Sequence, residues 1–302
     1  MFTNEIGRID TPLALALGNF DGLHLGHKRV LDAVCENPYG LTPAIAAFDP
    51  HPKALLSGTA PDRLLCAADQ AAVLEEWGVR HRICFDFAAV RDWSPAEFLD
   101  ALCSALPIGM LAAGYNFRFG KGGAGDIDFL KKYCEAHALH FFAADAVRLS
   151  GVPVSSTAIR DAVSDGEIER AEAMLGRPLI YTLKVEDGDH RGRTIGFPTI
   201  NQVLPHGLAR PKFGVYAAQA LVDGVWRVGI TNFGIRPTYR LQRPQLETFI
   251  LNFSGDLYGQ EIPLRLCRFI RPETKFSSLE ELKNAIERDI RTALDIPKNT
   301  VD

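Results

Sequence analysis

A change of rhythm near Leu179 constrains this chain more than any other feature of its sequence. Before it, short apolar runs alternate with segments of helical period. Leu13 to Leu17, Ala44 to Phe48, Arg82 to Phe87, Leu111 to Gly114 and Phe141 to Ala144 read as strands, with helices expected at Lys28 to Cys35 and near Ala68 to Trp77. Ser94, Pro95 and Glu97 form a capped helix start, and Ser156 to Ser164 and Glu167 to Leu175 read as short helices ended by Gly176 and Pro178. Such alternation calls for a parallel sheet covered by helices. From Leu179 onward, Leu179 to Val185, Val215 to Val222, Val225 to Thr231, Leu246 to Phe253 and Ile262 to Ile270 follow one another with turns between them, the pattern of a small antiparallel barrel or sandwich. One helix closes the chain, Leu279 to Leu294, with Ser278 and Glu281 as a capping box and Leu279, Leu282, Ile286, Ile290 and Leu294 on a stripe that should pack on the barrel. The fold class is α/β. A parallel-sheet domain is expected over residues 1–178 and an antiparallel β-barrel with a terminal helix over 179–302, a length sufficient for two cores.

Composition narrows the functional classes. With 47% hydrophobic and 23% charged residues, the chain is neither disordered nor collagen-like. Its longest uncharged run, Ala101 to Phe117, is interrupted by Pro107, Gly109 and Gly114 and falls short of the roughly 20 residues a spanning helix needs. No secretory leader is expected in the polar Met1 to Asp10. Six scattered cysteines form no C-x-x-C pair, which argues against a disulfide framework or a zinc knuckle and for the cytoplasm. Residues 1–180 carry 16 Lys and Arg against 23 Asp and Glu, and residues 181–302 carry 17 against 14. Neither half is basic enough for a nucleic-acid partner, and phosphate binding should be local.

The sharpest local motif is Gly18-Asn19-Phe20-Asp21-Gly22-Leu23-His24-Leu25-Gly26-His27. It falls between a strand and a helix, where open parallel sheets bind ligands. Glycines allow close backbone approach, and His24 and His27 share one side of the helix start. Two imidazoles and helix-terminal N–H groups suit a nucleotide's phosphates as charge moves onto a leaving group; capping histidines on an unremarkable loop would read the same way. Ser155 to Arg160 sets hydroxyls at a helix start and a cation one turn later, suited to phosphate or to an ordinary cap. Gly114 to Gly120 interleaves Tyr115, Asn116, Phe117, Arg118 and Phe119, a segment for stacking a ring or for filling a core. Phe48-Asp49-Pro50-His51-Pro52 is a rigid turn.

These four stretches, in this order, resemble the N-terminal module of the prokaryotic bifunctional riboflavin kinase and FAD synthetase family, a Rossmann-like nucleotidyltransferase domain of the H-x-G-H superfamily. The resemblance implies transfer of AMP from ATP to FMN with release of pyrophosphate. It implies His24 and His27 at the ATP phosphates, Gly18, Asn19, Phe20, Asp21 and Gly26 around the nucleotide, Ser156, Thr157 and Arg160 closing over it, and Asn116, Phe117 and Arg118 toward the flavin. Ala158 stands where the family usually has arginine, and Asn116 where aspartate is frequent.

In the second half, Gly188 to Asn201 joins a glycine-rich loop to a short polar strand. Freed N–H groups can cradle phosphates, and a threonine hydroxyl and an asparagine carbonyl are hard oxygen ligands for magnesium; a long hairpin with turn glycines is the alternative. Glu247 shares a strand face with Phe249, Leu251 and Phe253 by the period of two. A carboxylate on an apolar face should have a raised pKa, suited to taking a proton from an alcohol, unless an arginine such as Arg236 pairs with it. Gly192 to Asn201, Phe213 to Tyr216, Asn232 to Thr238, Leu246 to Phe253, Asp256 to Gly259 and Arg271 to Phe276 resemble the riboflavin kinase module of the same family. That resemblance implies a six-stranded barrel that moves the γ-phosphate of ATP to riboflavin. It assigns Thr199 and Asn201 to Mg2+, Gly192, Arg193, Gly196 and Pro198 to the nucleotide, Arg236 to the flavin, and Glu247 to the role of base. Ile200 and Leu183 depart from the family's usual alanine and glycine. The function expected is synthesis of FMN and then FAD from riboflavin and ATP. The alternatives are a chain with one active half, or a flavin or nucleotide sensor without turnover.

Overall fold

The computed structural model describes residues 2–4, 9–49, 51–188, 195–235 and 243–296. Contacts divide the chain into two compact units, Met1–Arg63 with Ala67–Ser156, and Leu64–Cys66 with Thr157–Asp302.

The first unit is built on a six-stranded sheet. Its strands are β1 (Phe2–Asn4), β2 (Leu13–Leu17), β3 (Thr42–Asp49), β4 (His81–Asp86), β5 (Ile108–Gly114) and β6 (His140–Ala144), in the spatial order β1-β4-β3-β2-β5-β6. β1 runs antiparallel to β4, and the other pairings are parallel. The parallel strands, and the helices expected at Lys28 to Cys35, near Ala68 to Trp77 and from Ser94, lie where the alternation predicts; β1 is an added edge, and the helices Pro52–Ser57, Phe87–Val90 and Ile127–Ala136 are additions to that pattern. Helices α1 (Leu25–Cys35), α2 (Pro52–Ser57), α3 (Ala67–Glu76), α4 (Phe87–Val90), α5 (Pro95–Ala105) and α6 (Ile127–Ala136) occupy the crossovers, and the short strands β7 (Arg148–Leu149) and β8 (Val152–Pro153) form a hairpin. All five residues of β2 are buried, as a central strand covered on both faces requires. The order turns back on either side of β2, so the loops after β2 and β5 flank the switch point where such sheets bind ligands. α5 starts with a complete capping box: Ser94 Oγ accepts from Glu97 N at 3.2 Å and the Glu97 carboxylate accepts from Ser94 N at 2.7 Å.

The second unit begins with α7 (Ser156–Asp165, from its second residue) and α8 (Ile168–Leu175), which precede a closed antiparallel barrel. Its strands are β9 (Ile180–Glu186), β10 (Thr199–Val203), β11 (Gly214–Val222), β12 (Val225–Ile235), β13 (Pro244–Ile250) and β14 (Glu261–Arg271), in the order β10-β13-β12-β11-β14-β9. β13 ends at Ile250, so Leu251 and Phe253 lie beyond the strand rather than on it. Side chains of Leu246, Thr248 and Ile250 face inward, where Thr248 bonds Thr231 at 2.8 Å and Gln202 donates to the carbonyls of Leu183 and Ile262. The terminal helix α9 (Leu279–Leu294) packs on the outer face of the barrel, over a cluster of Ala217, Ile230, Ala293, Phe249, Ile286 and Ile290. Its expected stripe is corrected at both ends: Leu279 and Leu294 are exposed, and Ala285, Asp289 and Ala293 are the buried line. The Ser278 cap bonds Glu281 N, and the Glu281 carboxylate also accepts from the Ser277 hydroxyl and N–H. Three arginines of β14 fasten the helices: Arg265 to Glu172 and Arg268 to Glu169 on α8, and Arg271 to Asp289 on α9, at 2.7–3.1 Å. Among the described residues no helix is long and apolar enough to cross a membrane, and all six cysteines are free thiols.

Candidate functional site

The loop between β2 and α1 adopts backbone that its sequence does not favour. Phe20 (φ 51°) and Leu23 (φ 44°) join Gly22 (φ 82°) in the left-handed region, at about 1–3 kcal/mol for each non-glycine residue. Distant side chains hold this geometry, because Gln70 Nε2 donates to Phe20 O at 3.1 Å and Ser156 Oγ to Asp21 O at 2.8 Å. His24 caps α1, with Nδ1 accepting from His27 N at 3.3 Å. A backbone N–H only donates, so the neutral His24 imidazole carries its proton on Nε2. Its ring is 6% exposed and stacks on His27 with centroids 3.7 Å apart. Gly26 permits this, since a Cβ there would stand 3.0 Å from the His24 ring. Burial, and secondly the His24 charge, hold the His27 pKa well below its ordinary value. His27 Nδ1 is buried and has no hydrogen-bond partner among the described residues. Gly18 likewise leaves room for the Phe20 ring, 3.2 Å from where a Cβ would stand, and Asn19 is exposed. Two stacked imidazoles, with His27 held neutral by burial, thus stand at a helix N-terminus, a setting for anionic phosphates.

The remaining motifs of this half divide by environment. Phe117 is half-buried and stacks on Phe119 at 5.6 Å, and Phe119, Phe98, Phe85 and Phe48 continue as an aromatic core. Asn116 is exposed, and Arg118 is held at 3.1 Å by Asp126, the N-cap of α6. His51 is half-buried. On α7, Thr157 is exposed and Arg160 is half-buried, one turn beyond Ser156.

On the barrel, the pairing register aligns a polar row across strands: Asn201 of β10 stands opposite Glu247 of β13, and Glu247 opposite Asn232 of β12. Thr199, Phe249 and Ile230 form the adjacent row. Glu247 therefore lies on the outer face of the barrel, in a cavity of about 320 Å³ beneath α9. Its walls include Thr199, Asn232, Phe249, Arg271, Glu273 and Ile286. Arg271 is clamped by Asp289 and lies 5.5 Å over Phe276. A second cavity of about 340 Å³ opens beside Pro198, Thr199, Ile200, Phe253, Ser254 and Tyr258. Thr199 lines both. Leu183 is buried on the inward face and lines neither cavity. Asn201 is 5% exposed, and its Oδ1 has no partner among the described residues. Gly188 sits directly over it, with a Cβ there 2.2 Å from Asn201 Nδ2. An orphaned buried amide oxygen beside a threonine hydroxyl is a donor set that fits magnesium. Gly196 (φ 91°) precedes this strand, while Gly192, Arg193 and Arg236 lie outside the described residues. Asn232, Glu273 and Asp289 were not singled out by spacing, because their place in the cavity depends on register and on the chain returning from β14 and α9.

Comparison with known proteins accords with this geometry. A family model described as FAD synthetase matches residues 7–158, and one described as riboflavin kinase matches residues 175–296. The bifunctional riboflavin kinase/FMN adenylyltransferase of Escherichia coli K12 is 38% identical over 288 residues, covering 92% of this chain and 91% of that protein. The proteins of the same name in Listeria monocytogenes and Bacillus subtilis are 35% and 33% identical, each covering 93% of this chain and 91% of their own length. The crystal structure of a protein named a macrolide-efflux protein from Streptococcus pneumoniae superposes with a TM-score of 0.88 at 27% identity, over 97% of this chain and 96% of that one. A riboflavin kinase half and an FAD synthetase half on one polypeptide phosphorylate riboflavin to FMN and adenylylate FMN to FAD, with ATP as co-substrate. The chain belongs to the family of bifunctional riboflavin kinase/FMN adenylyltransferases.

Proposed function

We propose that the two transfers run at separate centres, adenylyl transfer with residues 1–178 and phosphoryl transfer with residues 179–302. The observation that carries this reading is the Asn201, Glu247, Asn232 row, of which Glu247 and Asn232 line a cavity together with apolar and aromatic side chains. Riboflavin occupies that cavity with its 5′-hydroxyl at Glu247, which takes the hydroxyl proton as the oxygen attacks the γ-phosphorus of ATP. ATP enters from the second cavity, and the transfer happens at Thr199, the wall the two share. Thr199 and Asn201 would hold magnesium, which when bound neutralises phosphate charge. Gly192, Arg193, Gly196 and Pro198 are assigned to the nucleotide, and Arg236 to the flavin.

For adenylyl transfer, the His24 Nε2–H and the N-terminus of α1 donate to the triphosphate, and their alignment with the departing pyrophosphate supplies electrostatic stabilisation. Gly18, Asn19, Phe20, Asp21 and Gly26 shape the backbone around the nucleotide. His27 supports His24 by stacking and by its backbone N–H. Ser156, Thr157 and Arg160 are assigned to phosphate, and Asn116, Phe117 and Arg118 to the FMN acceptor. Free thiols and the lack of a basic half support a cytoplasmic enzyme without a nucleic-acid partner.

The test is a time course of the purified chain with riboflavin, ATP and magnesium, resolving the three flavins. FMN should appear first and FAD after it, both dependent on magnesium. FMN alone would leave only the kinase reading standing, and no product would revive the sensor.

A further inference from the structure

A second carboxylate, Glu273, lines the cavity under α9 together with Glu247 and Asn232. Asn232 Nδ2 donates to Glu273 Oε1 at 3.1 Å. A carboxylate only accepts, so the Asn232 amide is fixed with its nitrogen toward Glu273 and its oxygen turned away from it. Asn232 stands directly opposite Glu247 across β12 and β13, where side chains of paired residues come within contact distance. Gly234 makes room for this arrangement: a Cβ there would stand 2.2 Å from Glu273 Oε1.

The acceptor in phosphoryl transfer is the end of a polyol chain, so the hydroxyl next to the reacting one must also be placed. We propose that Glu273 is a positioning residue of the kinase centre: it holds the Asn232 amide so that Oδ1 accepts a hydrogen bond from the ribityl hydroxyl beside the one Glu247 deprotonates. Glu273 touches neither the reacting oxygen nor the phosphate, and acts through Asn232. Misplacement of a reacting group by about 1 Å lowers rates about a hundredfold, and loss of this hold should lower kcat for FMN formation by about tenfold or more. The proposal rests on Glu247 being the base.

The experiment measures kcat and KM for FMN formation, with FAD formation from FMN on the same preparations as a control for folding. Glu273→Ala and Gly234→Ala should both lower kcat for FMN and spare FAD formation. Gly234→Ala displaces the carboxylate by steric contact without removing it. Glu273→Gln, which still offers Asn232 a carbonyl oxygen, should restore most of the activity. Glu273→Ala should add little once Asn232→Ala is present, because the two act as one unit. If Glu273→Ala and Gly234→Ala keep kcat within about twofold of the parent, or if the losses multiply in the double variant, the proposal is overturned. Should Glu273→Ala lose FAD formation as well, it has unfolded, and Gly234→Ala and Glu273→Gln decide. Glu247→Gln separates the two claims: a fully active Glu247→Gln removes the base assignment, whereas an inactive one beside an active Glu273→Ala removes only the present proposal.

Discussion

Replacing Gly26 by alanine tests whether the His24 imidazole must stand where the fold puts it. The new Cβ would lie 3.0 Å from His24 Cε1 and 3.1 Å from Nδ1, so the ring must yield by a few tenths of an ångström. It has little freedom to do so, being 6% exposed and stacked on His27 at 3.7 Å. The bond from His27 N is already 3.3 Å long, and a small tilt of the ring breaks it. Such a bond contributes about 0.5–1.5 kcal/mol, which corresponds to about two- to tenfold in rate if it is lost from the transition state. Alanine's helix propensity offsets the strain by at most about 1 kcal/mol, so the melting temperature should hold. The assay compares FAD formation from FMN with FMN formation from riboflavin on one preparation. FAD formation should fall by about two- to tenfold while FMN formation is unchanged. An unchanged FAD rate would refute the role given to His24 placement, and an equal fall of both rates in a stable protein would refute the separation of centres.

Glu172→Ala strips the partner from Arg265, where the two side chains are 15% and 11% exposed and Glu172 also accepts from Leu179 N. Breaking so enclosed a pair should destabilise the protein by about 3 kcal/mol in denaturant titration, and a loss under about 1 kcal/mol would contradict the fastening of α8 to the barrel. His27 is held neutral, with its pKa well below the ordinary 6.5, so below that pH the unfolded chain binds a proton that the folded chain does not. Stability should then fall as pH drops through about 6.5, by up to about 1.4 kcal/mol per pH unit; melting curves from pH 7.5 to 5.5 should be flatter for His27→Gln, and parallel curves would exclude this origin. Gly188→Ala drives a Cβ into Asn201, 2.2 Å from Nδ2 and 2.6 Å from Cγ. Because Asn201 is 5% exposed and cannot swing into solvent, FMN formation should drop about tenfold or more with FAD formation kept, and equal retention of both would count against Asn201.

The parallel sheet was legible because each strand is a short apolar run bounded by turn residues, and because Ser94 with Glu97 announces its helix locally. The period of two on β13 put Glu247 and Phe249 on one face, but it could not tell the outside of a closed barrel from the inside. Here the inward face carries Thr248, Thr231 and Gln202, while the outward face is the one covered by α9. Apolar spacing likewise misplaced the ends of α9: Asp289 is buried in its clamp with Arg271, while Leu279 and Leu294 are exposed. Gly114 to Gly120 was ambiguous for a similar reason: Phe119 belongs to the core and half-buried Phe117 packs against it, and Asn116 and Arg118 of the same segment are exposed. Asn232 and Glu273 fall in two segments that resemble the kinase module, but their meeting with Glu247 emerged only with the fold, because cross-strand register and the return of the chain after β14 leave no short-range mark.

The most direct test of two independent centres is a pair of reciprocal variants assayed for both products. His24→Ala should stop FAD formation from FMN while riboflavin is still converted to FMN, and Glu247→Ala should stop FMN formation while added FMN is still converted to FAD. If either substitution abolished both conversions in a protein that melts like the parent, the two-centre account would be contradicted.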